Sequence, residues 1–390
     1  MLFQDDILFY NVAQLVTAPD YPGQLLSRFP TDLIAQMDVP LPAQFSRGCE
    51  LRFWQMPKAD VTTIYLYAMG GDGQAIVFFG EHYAKEFTLK EGCVTPIEIS
   101  MDPIFYNHLA IDALAEDLRY PSTLCRVFLN NEAKVSYCGR GTLSPQATEF
   151  GAQLTSPQHT LQGVPMPFTY LFEADGSRNL AKKTDIAPPP SAVPPYQAPT
   201  PTTGLAAMQA TKRFLAYGSS ITHGATASSN YLSYLQLTAK ALGCDVLNFG
   251  MSGACTCDYA MADYIAAVPD VDFYFLELGV NMRHRYYAEE FEARLIYLLQ
   301  KLQGRKVYLT TLYPSRATYL EVENALSSQE RAFNALIRQY APQYGVQLLE
   351  GADILQNPAW LTHDFIHPSP LGHIKMAENL SEMLTQERNL

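Results

Sequence analysis

Two adjacent serines stand in FLAYGSSITHG (residues 214–224), and near the other end of the chain LTHDFIHPSPLGH (361–373) places Asp364 three residues before His367. A hydroxyl, an imidazole and a carboxylate are the parts of a nucleophile activated by a base that a third group orients. Either Ser219 or Ser220 could be that nucleophile, or both could simply cap a helix behind Gly218, as serines often do. Between these stretches lie NFGMSGACTCD (248–258), with Gly250 and Gly253, and LELGVNMRHR (276–285), with Asn281 after Gly279. A bare backbone N–H and an asparagine amide are the donors that hold a developing oxyanion.

Positioning these residues requires a particular scaffold. After residue 204 the pattern of apolar strand, loop and amphipathic helix repeats: RFLAYG then NYLSYLQLTAKAL, DVLNFG then DYAMADYIAAV, DFYFLELG then EEFEARLIYLLQKL, KVYLTTLYP then ENALSSQERAFNALIRQYA. Such alternation predicts βαβ units with a parallel sheet between two helical layers. Ligands of such sheets bind at the carboxyl ends of the strands, so the loops after Tyr217, Phe249, Leu278 and Leu312 are expected on one rim.

The first half reads differently. CELRFWQM, VTTIYLYAM, AIVFFG, EFTLK, TPIEISM, LCRVFL and KVSYCGRG are short β-branched and aromatic runs between turn signals, expected as strands of an antiparallel sandwich. GGDG after Met69 and NNEAK after Leu129 look like hairpin connections, and ALAEDLR (113–119) is the clear helical segment. DIAPPPSAVPPYQAPTPTTG is dense in proline and predicts an extended connector. The expected division is a sandwich over 1–184, a linker over 185–204 and a catalytic domain over 205–390.

The second half, about residues 210–390, resembles the SGNH (GDSL-type) hydrolases, whose four sequence blocks occur here in order. The resemblance implies a flavodoxin-like three-layer α/β/α domain, here preceded by an antiparallel, jelly-roll-like β-sandwich as in two-domain bacterial members. Matched block by block, it makes Ser220 the nucleophile and Asp364 and His367 its supporting pair. Ser220 N–H, Gly253 and Asn281 become the oxyanion hole. Two positions depart from the family pattern: its aspartate before the nucleophile is Ser219 here, and its frequent aspartate after the asparagine is Met282. The activity implied is hydrolysis of a short acyl ester, preferably an O-acetylated sugar, without cofactor or metal. Lipase, lysophospholipase or thioesterase activity, acyl transfer to an alcohol, and glycan binding without catalysis are the alternatives.

Other residues carry weaker signals. Tyr286, Tyr287 and Trp360 could wall a substrate pocket, with packing beneath the loops at least as well supported. His223, His284, His363 and His373 compete with His367 as bases, although their positions favour supporting roles. Cys255 and Cys257 form a C-x-C without a second ligand pair, so small side chains packed near the rim are expected rather than a metal site. Arg283 and Arg285 are expected in surface salt bridges rather than on an anionic substrate.

Whole-chain properties bound the rest. With 390 residues, 24 Tyr and 20 Phe, the chain can build two cores. A formal net charge of -12 disfavours nucleic acid as a partner. Asp5 and Asp6 sit where a secretory signal would need basic residues, there is no transmembrane run, and seven cysteines suggest no disulfide framework. A cytoplasmic protein acting on a small-molecule or oligosaccharide ester is expected, its sandwich either covering the catalytic rim or pairing protomers.

Overall fold

The computed structural model describes residues 2–39, 41, 46–55, 61–100, 119–121, 123–130, 133–148, 208–210, 212–319 and 325–386. The proline-rich stretch 185–204 and most of the expected helix, 113–118, lie outside the described residues. The chain forms two compact units, one built on Met1–Thr31 and Ala43–Val164, the other on Lys212–Leu390 together with the early stretch Asp32–Pro42.

The first unit has eleven described strands: β1 Leu2–Gln4, β2 Ile7–Tyr10, β3 Gln14–Thr17, β4 Gln24–Ser27, β5 Glu50–Trp54, β6 Thr62–Met69, β7 Gly73–Phe79, β8 His82–Leu89, β9 Val94–Ile99, β10 Leu124–Asn130 and β11 Lys134–Arg140. They make two sheets, ordered β1-β2-β5-β10-β7-β8 and β3-β4-β11-β6-β9. Alternate residues of both sheets, among them Leu51, Phe53, Val77 and Val127 from the first and Ile64, Leu66, Ile97 and Val135 from the second, share one buried cluster. Period-two side chains meeting face to face are what define a sandwich.

The two connections expected as hairpins are corrected by the pairing. GGDG joins β6 in one sheet to β7 in the other, and the stretch after Leu129 joins β10 to β11, again across the two sheets. Turn residues report a sharp change of direction and not the sheet in which the next strand pairs. A tight hairpin does occur at Asp5-Asp6, both in the left-handed region with φ of 52° and 58°, between β1 and β2.

On the opposite face of the first sheet, neighbouring strands align Arg126 with Arg52 and Phe78. Glu50 lies between the two guanidinium groups, which are almost fully buried, and Arg52 stacks 3.8 Å from the centre of the Tyr10 ring. Buried charges are tolerated here because each is paired.

The second unit is a five-stranded parallel sheet ordered β13-β12-β14-β15-β16, with β12 Lys212–Gly218, β13 Cys244–Gly250, β14 Phe273–Glu277, β15 Val307–Thr310 and β16 Gln347–Leu349. The order reverses at β12, the topological switch point of a flavodoxin-like fold. Connections between parallel strands cross over right-handedly as a rule, which sends helices to both faces of such a sheet. Tyr234–Ala241 packs with Pro370–Gln386, while Tyr259–Ala267, Ala288–Lys301 and Ala325–Gln343 form a second packed layer. No helix among the described residues is long and apolar enough to cross a membrane.

The stretch around Asp38 is anchored in this unit by charge. The Arg294 side chain, 3% exposed, bonds Asp38 at 2.5 Å and Glu290 at 2.8 Å, with Asp258 at 3.7 Å. Asp38 also accepts from the Tyr286 hydroxyl, and its N–H donates to Asp258. Arg294→Ala leaves these carboxylates facing one another, and a loss of about 3–5 kcal/mol is expected in urea unfolding.

Candidate active site

The first strand of the parallel sheet ends at Gly218, and the chain turns at once into the short helix Ser220–His223. Gly218 is required by space: a Cβ there would lie 2.2 Å from Thr222 Oγ1 and 2.7 Å from Glu277 Oε2. The turn gives its two serines different environments. Ser219 is 1% exposed, donates its hydroxyl to Glu277 Oε2 at 2.7 Å, and accepts from Ile221 N–H as the helix cap. Ser220 stands at the helix start with its Oγ 2.8 Å from His367 Nε2.

His367 Nδ1 lies 2.6 Å from Asp364 Oδ2. Since a carboxylate only accepts, Nδ1 carries the proton, and Nε2 is left to accept from the Ser220 hydroxyl. Asp364 is itself fixed, its Oδ1 accepting from Thr362 Oγ1 and from the N–H groups of Ile366 and His367 at 2.8–2.9 Å. Burial alone would raise its pKa, but the bonds from His367, Ile366 and Thr362 outweigh it and hold the carboxyl well below the usual range.

Contacts between loops fix this spacing. Thr226, in the left-handed region with φ of 68°, donates from Oγ1 to Pro368 O at 2.5 Å, tying the serine loop to the histidine loop. His373 Nδ1 accepts from Tyr234 N–H, so its Nε2–H donates to Ala225 O at 2.8 Å. His373 is therefore a neutral strut within the terminal helix and no rival base. His223 is 1% exposed, with Nδ1 3.1 Å from Ser252 Oγ.

The second and third blocks are attached in the same way. Met251 N–H donates to Gly218 O, and Gly250 lies so close to the helix Ser220–His223 that a Cβ would meet His223 N at 2.2 Å. Cys255 N–H donates to Asn281 Oδ1, which orients the amide, and Arg285 donates to Gly253 O. Gly253 needs its glycine for conformation, with φ of 72° and open space around it. Among the described residues, nothing accepts from Ser220 N–H, Gly253 N–H or Asn281 Nδ2. Donors left unused in this way are what an oxyanion hole requires. Asn281→Ala is expected to lower kcat by about 10²–10³-fold with little change in KM on p-nitrophenyl acetate.

The remaining sequence candidates divide. Tyr287 is exposed, and Trp360 frames the histidine loop through its carbonyl, which accepts from Ser369 N–H at 2.6 Å. Tyr286 is committed elsewhere, its hydroxyl on Asp38 and its ring 4.4 Å from the Arg294 guanidinium. Arg283, expected at the surface, is instead buried and paired with Glu330. Cys255 and Cys257 are buried free thiols, and burial pushes the Cys257 thiol up to about 12, so it stays protonated. Glu277, Thr362 and Thr226 were not singled out by sequence; each acts through a contact that no local spacing reveals.

A parallel α/β/α sheet carrying a serine, histidine and aspartate on its carboxyl rim defines a serine esterase. Residues 216–374 match the family model for GDSL-like lipase/acylhydrolase proteins, and the second unit is a domain of that family. Nearly the full length of the chain also aligns with solved structures. A salicylyl-acyltransferase from a tetracycline biosynthetic pathway aligns over 99% of this chain and 97% of its own at 16% identity, with a TM-score of 0.61. A GDSL-like lipase fold from Bacteroides ovatus covers 97% of both chains at 14% identity and a TM-score of 0.54. A family two carbohydrate esterase from Clostridium thermocellum covers 98% of this chain and 99% of its own at 13% identity and a TM-score of 0.52. No curated protein matches the chain.

Proposed function

We propose that the protein removes a short acyl group, preferably acetyl, from a carbohydrate hydroxyl through an acyl-enzyme on Ser220. The observation that carries this is the 2.8 Å approach of Ser220 Oγ to His367 Nε2, with Asp364 holding the other ring nitrogen. In the first step Ser220 Oγ attacks the ester carbonyl while Nε2 takes its proton. Negative charge gathers on the carbonyl oxygen and is met by Ser220 N–H, Gly253 N–H and Asn281 Nδ2. The imidazolium, stabilised by Asp364, returns the proton to the leaving alcohol. Water, deprotonated by the same imidazole, then attacks the acyl-enzyme; the bond from Ser220 Oγ to the acyl carbon breaks, the acid leaves, and the imidazolium returns the proton to Ser220 Oγ. Every step is a proton or acyl transfer among these groups, and none calls for a redox or metal centre.

The carbohydrate part rests on the two-domain architecture shared with the family two carbohydrate esterase. Acyl transfer is the second reading, supported by the same architecture in the salicylyl-acyltransferase. It differs only in whether an alcohol or water resolves the acyl-enzyme. Incubation with acetylated xylo-oligosaccharide separates the two: free acetate is the expected product, whereas acetyl appearing on an added glycan acceptor would favour transfer. A longer p-nitrophenyl ester turned over faster than the acetate would shift the assignment towards lipase activity.

A further inference from the structure

A buried carboxylate beneath the nucleophile turn has no part in the proton transfers above. Glu277, at the end of β14, is 0% exposed. One oxygen, Oε2, accepts from Ser219 N–H and Ser219 Oγ at 2.7 Å each and from Thr222 Oγ1 at 3.0 Å. The other, Oε1, has no partner among the described residues. Burial raises the pKa of this carboxyl against the opposing hydrogen bonds from Ser219 and Thr222. A carboxylate held so deep is costly unless its geometry is used. Its partners are the residues on either side of Ser220 and Ile221, so it grips the turn from both ends of the nucleophile position. The turn is also built to admit it, since any side chain at Gly218 would strike Glu277 Oε2.

We infer that Glu277 and Ser219 form one positioning unit for the nucleophile, in which a buried glutamate on the neighbouring strand holds the turn and the residue before Ser220 must be uncharged. Glu277 is a positioning residue: it touches no reacting atom and acts by fixing the orientation of Ser220. The two positions are interdependent. A carboxylate introduced at 219 falls within contact of Oε2, where two carboxylates cannot both ionise, and the turn must move to separate them. Glutamine at 277 removes the conflict, its carbonyl oxygen taking over the donors from 219 and 222 and its NH2 donating to the introduced carboxylate.

This inference rests on Ser220 as the nucleophile, and the test separates the two. Wild type, Ser219→Asp, Glu277→Gln and the double variant are compared for labelling of Ser220 by a fluorophosphonate, kcat and KM on p-nitrophenyl acetate, and thermal midpoint. Ser219→Asp is expected to lose about 10²-fold in kcat with KM nearly unchanged, the effect of misplacing a nucleophile by about an ångström. The double variant is expected to recover to within about tenfold of wild type and to regain its thermal midpoint. Should Ser219→Asp fail to fold, recovery of fold and turnover in the double variant carries the same meaning. A fully active Ser219→Asp, or a double variant no better than Ser219→Asp, overturns the inference. Wild type that turns over substrate but is labelled elsewhere than Ser220 overturns the nucleophile assignment, and the inference falls with it.

Discussion

Ser220→Ala is expected to lower kcat for p-nitrophenyl acetate by about 10⁴–10⁶-fold, since the nucleophile of a serine hydrolase acts as a unit with its base. Ser219→Ala is expected to cost only about tenfold, because it loses one hydrogen bond and a helix cap but no reacting atom. The contrast follows from geometry. The Ser219 hydroxyl is already spent on Glu277 and Ile221, whereas that of Ser220 points to His367. Circular dichroism of Ser220→Ala should match wild type, since Ser220 makes no other side-chain bond among the described residues. Equal losses at both serines, with both variants folded, would mean that the turn is catalytically shared and that the assignment is wrong.

Asp364→Asn is the second large effect. The amide keeps the shape of the side chain but can present NH2 to His367 Nδ1, favouring the tautomer that no longer accepts from Ser220, and a loss of about 10²–10⁴-fold in kcat is expected. The same substitution has a signature in stability. The folded pKa of Asp364 lies below its unfolded value of about 3.9. Its contribution is therefore present above that unfolded value and is lost as pH falls through the lower folded one. The stability gap between wild type and Asp364→Asn, measured by urea unfolding, should be wide at neutral pH and should narrow below about pH 4. A gap that widens in acid would contradict the pairing.

Much of this was legible in the chain because it is written locally. Each βαβ unit announces itself by a continuous apolar strand followed by an amphipathic helix, and D-x-x-H places a carboxylate and an imidazole on one turn. The strands from residue 50 onward were also visible. The first four, of only three or four residues each, were not, since so short a run shows no firm period. What stayed hidden is whatever depends on distant partners. GGDG gave no sign that the chain changes sheets, because that depends on which strand pairs next. Glu277 looks like any acidic residue closing a strand until Ser219, 58 residues away in sequence, is placed against it. Tyr286 suggested a pocket wall, and only Asp38, 248 residues away, commits it to packing. Arg283 looked like a surface cation because Glu330 is not its neighbour in sequence.

The most direct test of the central claim is to trap the acyl-enzyme. The enzyme is mixed with p-nitrophenyl acetate, quenched in acid within the first turnovers, digested and analysed by mass spectrometry. One acetyl group on the peptide containing Ser219 and Ser220, localised to Ser220 by fragmentation and absent from Ser220→Ala, is the predicted result. Active turnover with acetyl located on another residue, or with no covalent intermediate in wild type and an undiminished rate in Ser220→Ala, would contradict it.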